Sequence, residues 1–277
     1  MMRAALFQSR TGIDTAANVR DLVAAIDTAK AAGADMLFTP EMSGLLDRDR
    51  ARAARSLHPE SEDPVLAAVR EAAARAGLWV HLGSLALAGE RPDERLVNRG
   101  FLIDDSGAIR ARYDKIHLFD VDLPNGESWH ESTAYAPGAG AVVADTPWGR
   151  LGLSICYDLR FPALFSALSE AGAVILSVPA AFTVLTGAAH WHVLLRARAI
   201  EAAAFVVAAA QCGEHADGRA TYGHSLAIDP WGEVLLDMGN GQGVRVVDLD
   251  LGRVAQVRGR IPVLTHRRPI AAAALAP

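Results

Sequence analysis

The sequence predicts a mixed α/β fold, a four-layer α-β-β-α sandwich in which two stacked sheets are covered by helices on their outer faces. Helical periodicity alternates with short apolar strands near the N-terminus and again over residues 162–210. Strand–turn–strand patterns interrupt this alternation, which favours mixed rather than purely parallel sheets. No Gly/Ser-rich or Pro-rich stretch exceeds a loop, so we predict one domain over residues 1–277.

The elements follow from local patterns. The N-terminal part is predicted as strand, helix, strand, helix and strand, over residues 3–8, 14–32, 36–39, 64–76 and 78–85. Hairpins are predicted over 100–113, 142–155 and 226–236, where turn residues separate apolar runs. Two helix–strand pairs fill the remaining interval, at 162–171 with 174–178 and 187–203 with 205–210. Residues 121–140 form a long connection of the kind that often carries function, and the tail from about 253 to 277 packs on the domain or on a partner subunit.

Composition excludes several functional classes. The formal net charge is −5, so nothing attracts a polyanion and a nucleic-acid partner is not expected. The longest apolar stretch, residues 202–210, is far shorter than the roughly 20 residues of a membrane-spanning helix. Two cysteines do not make a disulfide framework, and the N-terminal residues lack a signal-peptide pattern. These features predict a cytoplasmic enzyme without a membrane anchor.

Three chemically distinct side chains each follow an apolar strand. Glu41 supplies a carboxylate, Lys115 a cation and Cys156 a thiol. Together they could form an acyl-transfer site with a base, a charge-stabilising group and a nucleophile. Position at strand ends does not by itself bring the three together, and a lone cysteine at a strand end is more often buried filler.

Other reactive residues fit less well. Gly152-x-Ser154-x-Cys156 is similar to the elbow of serine hydrolases, but Cys156 replaces its last glycine and Ser154 is predicted inside the strand. An esterase that uses Ser154 is therefore a remote alternative. Cys212 is predicted to have no catalytic role. The nine histidines lack recognised metal-ligand spacing, with His215 and His224 standing apart from His190 and His192, so no metal is expected.

Three segments carry a resemblance to a known family. TPEMSG at 39–44, RYDKIHLFD at 112–120 and SICYDLRFP at 154–162 resemble the catalytic motifs of the nitrilase superfamily of carbon–nitrogen hydrolases. The agreement covers residue type, order and spacing, and extends over nearly the whole chain. Thr39 departs from the apolar or aromatic residue usual before Pro-Glu. The resemblance implies the four-layer fold, no cofactor, and at least a homodimer.

The same resemblance implies roles for individual residues. Cys156 would attack the amide carbonyl, and Glu41 would accept the thiol proton and deliver it to the leaving amine. Lys115 and the backbone N–H of Tyr157 would stabilise the oxyanion. Glu131 would orient the site by pairing with Lys115. A lysine cation beside a thiol is also expected to lower the thiol pKa.

Further segments narrow the branch. Residues 179–201 and 221–232 resemble amidases rather than true nitrilases, and residues 123–132 and 209–215 are most similar to amidases that act on deaminated glutathione. The implied reaction is hydrolysis of a small α-keto ω-amide. An ω-amidase for 2-oxoglutaramate or 2-oxosuccinamate is the alternative, and an inactive binding module on this fold is a remote one. Candidate substrate contacts are Tyr157, Arg160, Phe182 and Thr186, with Arg160 placed to bind a carboxylate.

Overall fold

The computed structural model describes residues 1–89 and 91–275. In chain order its strands are β1 (Met2–Gln8), β2 (Met36–Phe38), β3 (Trp79–Leu87), β4 (Val97–Ile103), β5 (Ile109–Asp114), β6 (Asp120–Asp122), β7 (Ser128–His130), β8 (Val142–Thr146), β9 (Gly149–Leu153), β10 (Ile175–Ser177), β11 (Phe205–Ala208), β12 (Cys212–Glu214), β13 (Ala220–Tyr222), β14 (Leu226–Ile228), β15 (Val234–Asp237) and β16 (Gly243–Leu249). The helices are α1 (Thr15–Ala31), α2 (Arg50–Ala53), α3 (Pro64–Ala76), α4 (Pro162–Glu170), α5 (Val184–Ala202) and α6 (Gly252–Arg260).

The strands form two six-stranded sheets and two short hairpins. The first sheet has the order β16-β1-β2-β3-β4-β5 and the second the order β15-β14-β11-β10-β9-β8. At the centre of each, three strands run parallel: β1, β2 and β3 in the first, and β9, β10 and β11 in the second. The outer strands pair antiparallel, so both sheets are mixed, as the alternation of helices and hairpins predicted.

The alternating faces of the central strands build the layers. In β2, Leu37 faces a core that it shares with Leu22 of α1 and Val69 of α3. Its neighbour Phe38 faces the opposite way, into a core that contains Ile175 and other residues of the second sheet. Because successive strand side chains point to opposite faces, a strand buried on both sides reads as a continuous apolar run. The predicted four-layer α-β-β-α sandwich is confirmed.

Helix ends largely follow the capping signals. The Asp14 side chain accepts hydrogen bonds from two backbone N–H groups at the start of α1, and Gly77 ends α3 with a φ of 57°. The start predicted for α5 at Gly187 is wrong, because Thr183 caps the helix and it begins at Val184. Thr186 therefore lies in the first turn of α5, where its backbone N–H donates to the Thr183 side chain.

Two predicted loops have more structure than expected. The connection over 121–140 contains the β6–β7 hairpin and a 3₁₀ turn at Glu131–Thr133. The C-terminal tail packs on the second sheet's helical layer as far as Arg267, whose guanidinium contacts Ser166, Ser169 and Glu170 of α4. Residues 269–275 are exposed. None of the helices in the described part of the chain has the length and apolar character to cross a membrane.

Candidate active site

The predicted catalytic residues lie where strands of both sheets end. Glu41 comes three residues after β2, and Lys115 directly follows β5. Cys156 comes from the other sheet, three residues after β9, and begins the 3₁₀ turn Cys156–Arg160. Glu131 directly follows β7, at the end of the small hairpin. The two stacked sheets and the hairpin therefore each contribute to one site.

Lys115 is bound between the two carboxylates. Its ammonium lies 2.8 Å from Glu41 Oε1 and 2.8 Å from Glu131 Oε2. The Lys115 side chain is 2% exposed, and that of Glu131 is 12% exposed. Glu131 Oε2 also accepts from the backbone N–H of Phe119 at 2.7 Å. A buried ammonium requires such compensation, so the two carboxylates fix where its charge lies.

Asn98, the second residue of β4, was missed by the sequence analysis. Its side-chain amide donates to Glu41 Oε1 at 3.0 Å and to Glu131 Oε1 at 3.3 Å. The residue is almost fully buried, and within the described residues its Oδ1 has no hydrogen-bond partner. An asparagine inside an apolar strand was the available signal, because buried polar side chains have specific partners.

Charges at the site set the protonation states of Glu41 and Lys115. Burial alone would raise the pKa of Glu41, but the Lys115 ammonium and the Asn98 amide hold it below its usual value. Burial would likewise lower the pKa of Lys115, whereas Glu131 and Glu41 raise it well above the usual range. At neutral pH the site therefore holds an ionised carboxylate beside a permanent cation.

The thiol of Cys156 is protonated in the resting site. Burial is the largest influence and raises its pKa, and the negative charge of Glu41 raises it further. Lys115 acts in the expected direction and lowers the pKa, but it is outweighed. The expected effect of Lys115 is therefore present, but it does not make the thiol acidic in the free site. Such a thiol requires a base at the moment of attack.

Two residues of this site have a strained backbone. Cys156 has a φ of 51°, and Met42, which follows Glu41, has a φ of 55°. Left-handed conformations are uncommon outside glycine, and they are maintained where the surroundings impose them. The Cys156 N–H donates to the Pro179 carbonyl at 2.8 Å, and the Met42 N–H donates to Ser84 Oγ at 2.9 Å.

A buried carboxylate fixes the turn that carries Cys156. Asp158 is fully buried and accepts from the Tyr113 hydroxyl at 2.6 Å and the Ile155 N–H at 2.9 Å. Its other oxygen lies 2.7 Å from His117 Nδ1. Asp158 therefore ties the turn of the second sheet to the segment around Lys115 from the first. This positioning network was also absent from the sequence analysis.

A cavity of about 1200 Å³ opens above these residues. Glu41, Lys115, Cys156 and Glu131 all line it. Further lining comes from the loop after β2, from the β6–β7 hairpin and from the start of α5. The volume exceeds the roughly 300–1,000 Å³ of typical small-molecule sites, so it has room for a ligand larger than a simple amide.

Three of the four predicted substrate contacts line this cavity: Tyr157, Phe182 and Thr186. Arg160 is not among the lining residues, and its role as a substrate contact stays a prediction. Its guanidinium lies 5.9 Å from the Tyr157 ring and 5.5 Å from the Phe182 ring, and its Nη2 lies 3.3 Å from His190 Nδ1. There it supports the wall through cation–π contacts.

The two alternative nucleophiles, Ser154 and Cys212, lie outside the cavity lining. Ser154 lies one residue beyond β9 rather than inside a strand, and its buried hydroxyl donates to the Ser177 carbonyl at 2.7 Å. It is not part of the cavity lining. Cys212 is fully buried in β12, and burial raises the pKa of its thiol. Neither residue has access to a ligand in the cavity.

Two histidines that stand apart in the sequence meet in the fold. His192 Nε2 lies 3.0 Å from Asp237 Oδ2, and His224 Nδ1 lies 2.9 Å from Asp237 Oδ1. These three are side chains of metal-ligating type, with one ligand atom from each within 4.8 Å of the others. None of them lines the cavity, and both imidazoles already hydrogen-bond to the carboxylate.

A four-layer sandwich with a cysteine, a lysine and two carboxylates at the ends of its strands defines a class of amide-cleaving hydrolases. Residues 3–259 match the family described as carbon-nitrogen hydrolase. The chain belongs to this family and is an amidase, which confirms the resemblance to the nitrilase superfamily.

Individual relatives agree with this assignment. The chain is 40% identical to the deaminated glutathione amidase of Yersinia enterocolitica over 265 residues, which cover 95% of this chain and 92% of that protein. It superimposes on the crystal structure of the C. elegans NitFhit protein with a TM-score of 0.87 at 36% identity, covering 96% of this chain and 65% of that longer one. A Glu-to-Gln mutant of the amidase from Nesterenkonia sp. AN1, which shows the result of Michael addition of acrylamide at the active site cysteine, has a TM-score of 0.77 at 27% identity, covering 95% of this chain and 98% of that one.

Proposed function

We propose that this amidase hydrolyses deaminated glutathione to 2-oxoglutarate and cysteinylglycine through a thioester on Cys156. The observation that carries the proposal is the Lys115 ammonium held between Glu41 and Glu131 in the cavity that Cys156 lines. The relatives named for this substrate support it. The size of the cavity supports it further, since a simple amide would leave much of the space empty.

The first half-reaction forms the thioester. Glu41 takes the proton of the Cys156 thiol as the sulfur attacks the amide carbonyl carbon. The oxygen becomes an oxyanion, stabilised by the Lys115 ammonium and the backbone N–H of Tyr157. Collapse breaks the carbon–nitrogen bond, and Glu41 returns the proton to the leaving nitrogen. Cysteinylglycine departs, and the 2-oxoglutaryl group stays on sulfur.

The second half-reaction uses the same residues. Glu41 takes a proton from water, whose oxygen attacks the thioester carbonyl, and Lys115 again stabilises the oxyanion. The carbon–sulfur bond breaks, and the proton passes from Glu41 to the Cys156 sulfur. Glu131 keeps Lys115 charged and in place throughout. Tyr157, Phe182 and Thr186 form the wall against which the acyl group packs.

Mass spectrometry and kinetics test this mechanism. Incubation with deaminated glutathione should add the mass of the 2-oxoglutaryl group to the peptide that contains Cys156, and Cys156→Ala should abolish turnover. Ser154→Ala should retain turnover, unlike in an esterase that uses Ser154. Higher kcat/KM for 2-oxoglutaramate than for deaminated glutathione would replace the substrate with that of an ω-amidase. No turnover and no adduct with any amide would indicate a binding module.

We further propose that the enzyme forms a homodimer through the outer face of α5. Val193 and Ile200, seven residues apart and therefore on one face of this helix, are exposed. Such an apolar stripe is unfavourable in water, and a second copy would cover it. Val193→Glu should convert the dimer to a monomer in light scattering. Ile270→Glu, a change at an exposed apolar residue of the tail, is the matched control; a monomeric native protein would contradict the proposal.

The cytoplasm is our proposed location for the enzyme. Both Cys156 and Cys212 are free thiols, and a nucleophilic thiol must stay reduced to act. The measurement is fractionation of the native host with an antibody to the chain. Recovery in an oxidising compartment would contradict this location.

A further inference from the structure

The cavity is lined by five lysine or arginine side chains, and most of their charges are paired. Lys115 is held by Glu41 and Glu131. Arg95 lies 2.7 Å from Asp93, and Arg219 lies 2.7 Å from Asp217. These three cations are therefore neutralised by carboxylates of the protein itself.

Arg48 and Arg50 are the other two cationic residues of the cavity lining. In residues 1–89 and 91–275, neither guanidinium forms an ion pair with a carboxylate. Arg50 is nevertheless oriented, because its Nη2 donates to the His130 carbonyl and to Thr133 Oγ1 of the hairpin turn. The Arg48 backbone is held by a 2.9 Å hydrogen bond from its N–H to Asp217 Oδ2. Two guanidinium groups without a carboxylate partner, one of them oriented and the other on an anchored backbone, are suited to an anionic ligand.

The two arginines lie at the open side of the cavity. Both side chains are exposed, whereas Glu41, Lys115 and Cys156 are all buried. In the proposed thioester mechanism the amine leaves before water attacks, while the acyl group stays bound. The amine half of the substrate must therefore extend towards the open side, and it is this half that Arg48 and Arg50 can reach.

We propose that Arg48 and Arg50 bind a carboxylate at the far end of the amine half of the substrate. This inference rests on the proposed function and names the substrate class: amides whose amine half is a short peptide with a free C-terminal carboxylate. A guanidinium binds a carboxylate through two parallel hydrogen bonds. Primary amides such as 2-oxoglutaramate have no group that can occupy this position.

A double variant and three substrates test the proposal. The variant is Arg48→Gln/Arg50→Gln; the substrates are deaminated glutathione, the same compound with its C-terminal carboxylate converted to a carboxamide, and 2-oxoglutaramate. The native enzyme should prefer the free carboxylate about tenfold in kcat/KM, mainly through KM, as expected for a charged hydrogen bond at an exposed site. The double variant should lose this preference and retain its kcat/KM for the other two substrates. Arg55→Gln, at an exposed arginine outside the cavity lining, is the matched control.

Two results would overturn the inference. One is a native enzyme that does not distinguish the carboxylate from the carboxamide. The other is a double variant that loses the same factor on all three substrates, which indicates general damage to the site. In both cases deaminated glutathione is still hydrolysed, so the proposed function survives.

Measurements of ligand binding to an inactive variant test the carboxylate site separately from the proposed substrate. The Cys156→Ala protein should bind cysteinylglycine more tightly than its carboxamide in calorimetry, and the difference should disappear when Arg48 and Arg50 are also replaced. Equal affinities would overturn the carboxylate site whatever the kinetics. Turnover of 2-oxoglutaramate with none of deaminated glutathione would instead overturn the proposed substrate, and this inference with it.

Discussion

The side-chain amide of Asn98 donates a 3.0 Å hydrogen bond to Glu41, the carboxylate that the proposed mechanism uses as its base. The same amide nitrogen lies 3.3 Å from Glu131. Asn98 therefore bridges the two carboxylates, and it shares Glu41 Oε1 with the Lys115 ammonium. It acts as a positioning residue that holds both carboxylates and favours the ionised form of Glu41.

We expect Asn98→Leu to lower kcat about ten- to a hundredfold, because a base displaced by a fraction of an ångström loses alignment with the thiol. The variant should also change the pH profile. Without this hydrogen bond the pKa of Glu41 rises, so activity should be lost at a higher pH on the acid side. Steady-state kinetics across pH give both readouts.

Asn18→Leu is the matched control, because Asn18 is also buried and hydrogen-bonded but does not line the cavity. It should lower the melting temperature without moving the acid limb. An unchanged acid limb in Asn98→Leu, despite a loss of kcat, would show that Asn98 has only a structural role.

A second prediction concerns the alkaline side of the profile. Since the pKa of Cys156 is raised and that of Glu41 is lowered, the active form is a neutral thiol beside an ionised carboxylate. We expect kcat/KM to be level from about pH 6 to about pH 9, with no rise through the ordinary thiol range near about 8.5. Alkylation of Cys156 in a Cys212→Ser background should be correspondingly slow in the absence of substrate. An activity that increases in proportion to thiolate formation would contradict this picture.

Sequence reasoning located Glu41, Lys115 and Cys156 because each is marked locally, by a polar residue where an apolar strand stops. Those strands were predictable from the spacing of their apolar residues and from their composition, and the carboxyl ends of parallel strands lie at one edge of a sheet. Asn98 lacks such a mark. Asn98 matters because its side chain faces Glu41. This contact depends on the register of β3 with β4 and on the path of the chain between the end of β2 and Glu41.

Arg160 shows a different limit of sequence reasoning. Its distance of four residues from Cys156 suggested a shared site, and in the fold its guanidinium lies against the rings of two lining residues, Tyr157 and Phe182. The expected lowering of the Cys156 pKa by Lys115 is present, but the sequence does not show the degree of burial that outweighs it. Direction within a turn and burial are both properties of the tertiary fold, and neither follows from spacing alone.

A third prediction concerns Gly83 in β3, which packs against the segment that ends in Glu41. A Cβ at Gly83 would overlap the carbonyl oxygens of Thr39 and Pro40 and would lie 2.6 Å from Pro179 Cβ. The Gly83 N–H also donates to Thr39 Oγ1 at 3.0 Å, which gives a physical reason for a threonine at this position. We expect Gly83→Ala to lower the free energy of unfolding by about 1–3 kcal/mol and to reduce kcat, because Glu41 must move.

Gly140→Ala is the control for Gly83→Ala. Gly140 is free of positive φ, and a Cβ there would meet nothing within 4 Å. Denaturant unfolding should give nearly native stability for Gly140→Ala. A Gly83→Ala protein with native stability and native kcat would show that the two sheets can separate at this point without cost.

A fourth prediction is the dependence of stability on pH through His81. This histidine is buried between the two sheets, with its ring 5.7 Å from that of Phe38 and its Nε2 3.4 Å from Ser177 Oγ. Within the described residues its Nδ1 has no partner. Burial lowers the pKa of His81 to about 3 in the folded state, from 6.5. The folded protein therefore holds a neutral imidazole at any pH at which it is active.

The direction in which stability changes with pH depends on whether the folded or the unfolded state binds the proton at His81. As the pH falls below about 6.5, the unfolded chain protonates His81 while the folded protein does not, so stability is lost progressively down to about pH 3. At pH 5 the loss from this residue is about 2 kcal/mol. His81→Gln should remove this component, so its free energy of unfolding should fall less between pH 7 and pH 5 than that of the native protein in urea titrations. His266→Gln, at an exposed histidine, should keep the native slope; equal slopes for all three proteins would show that His81 is protonated in the folded state.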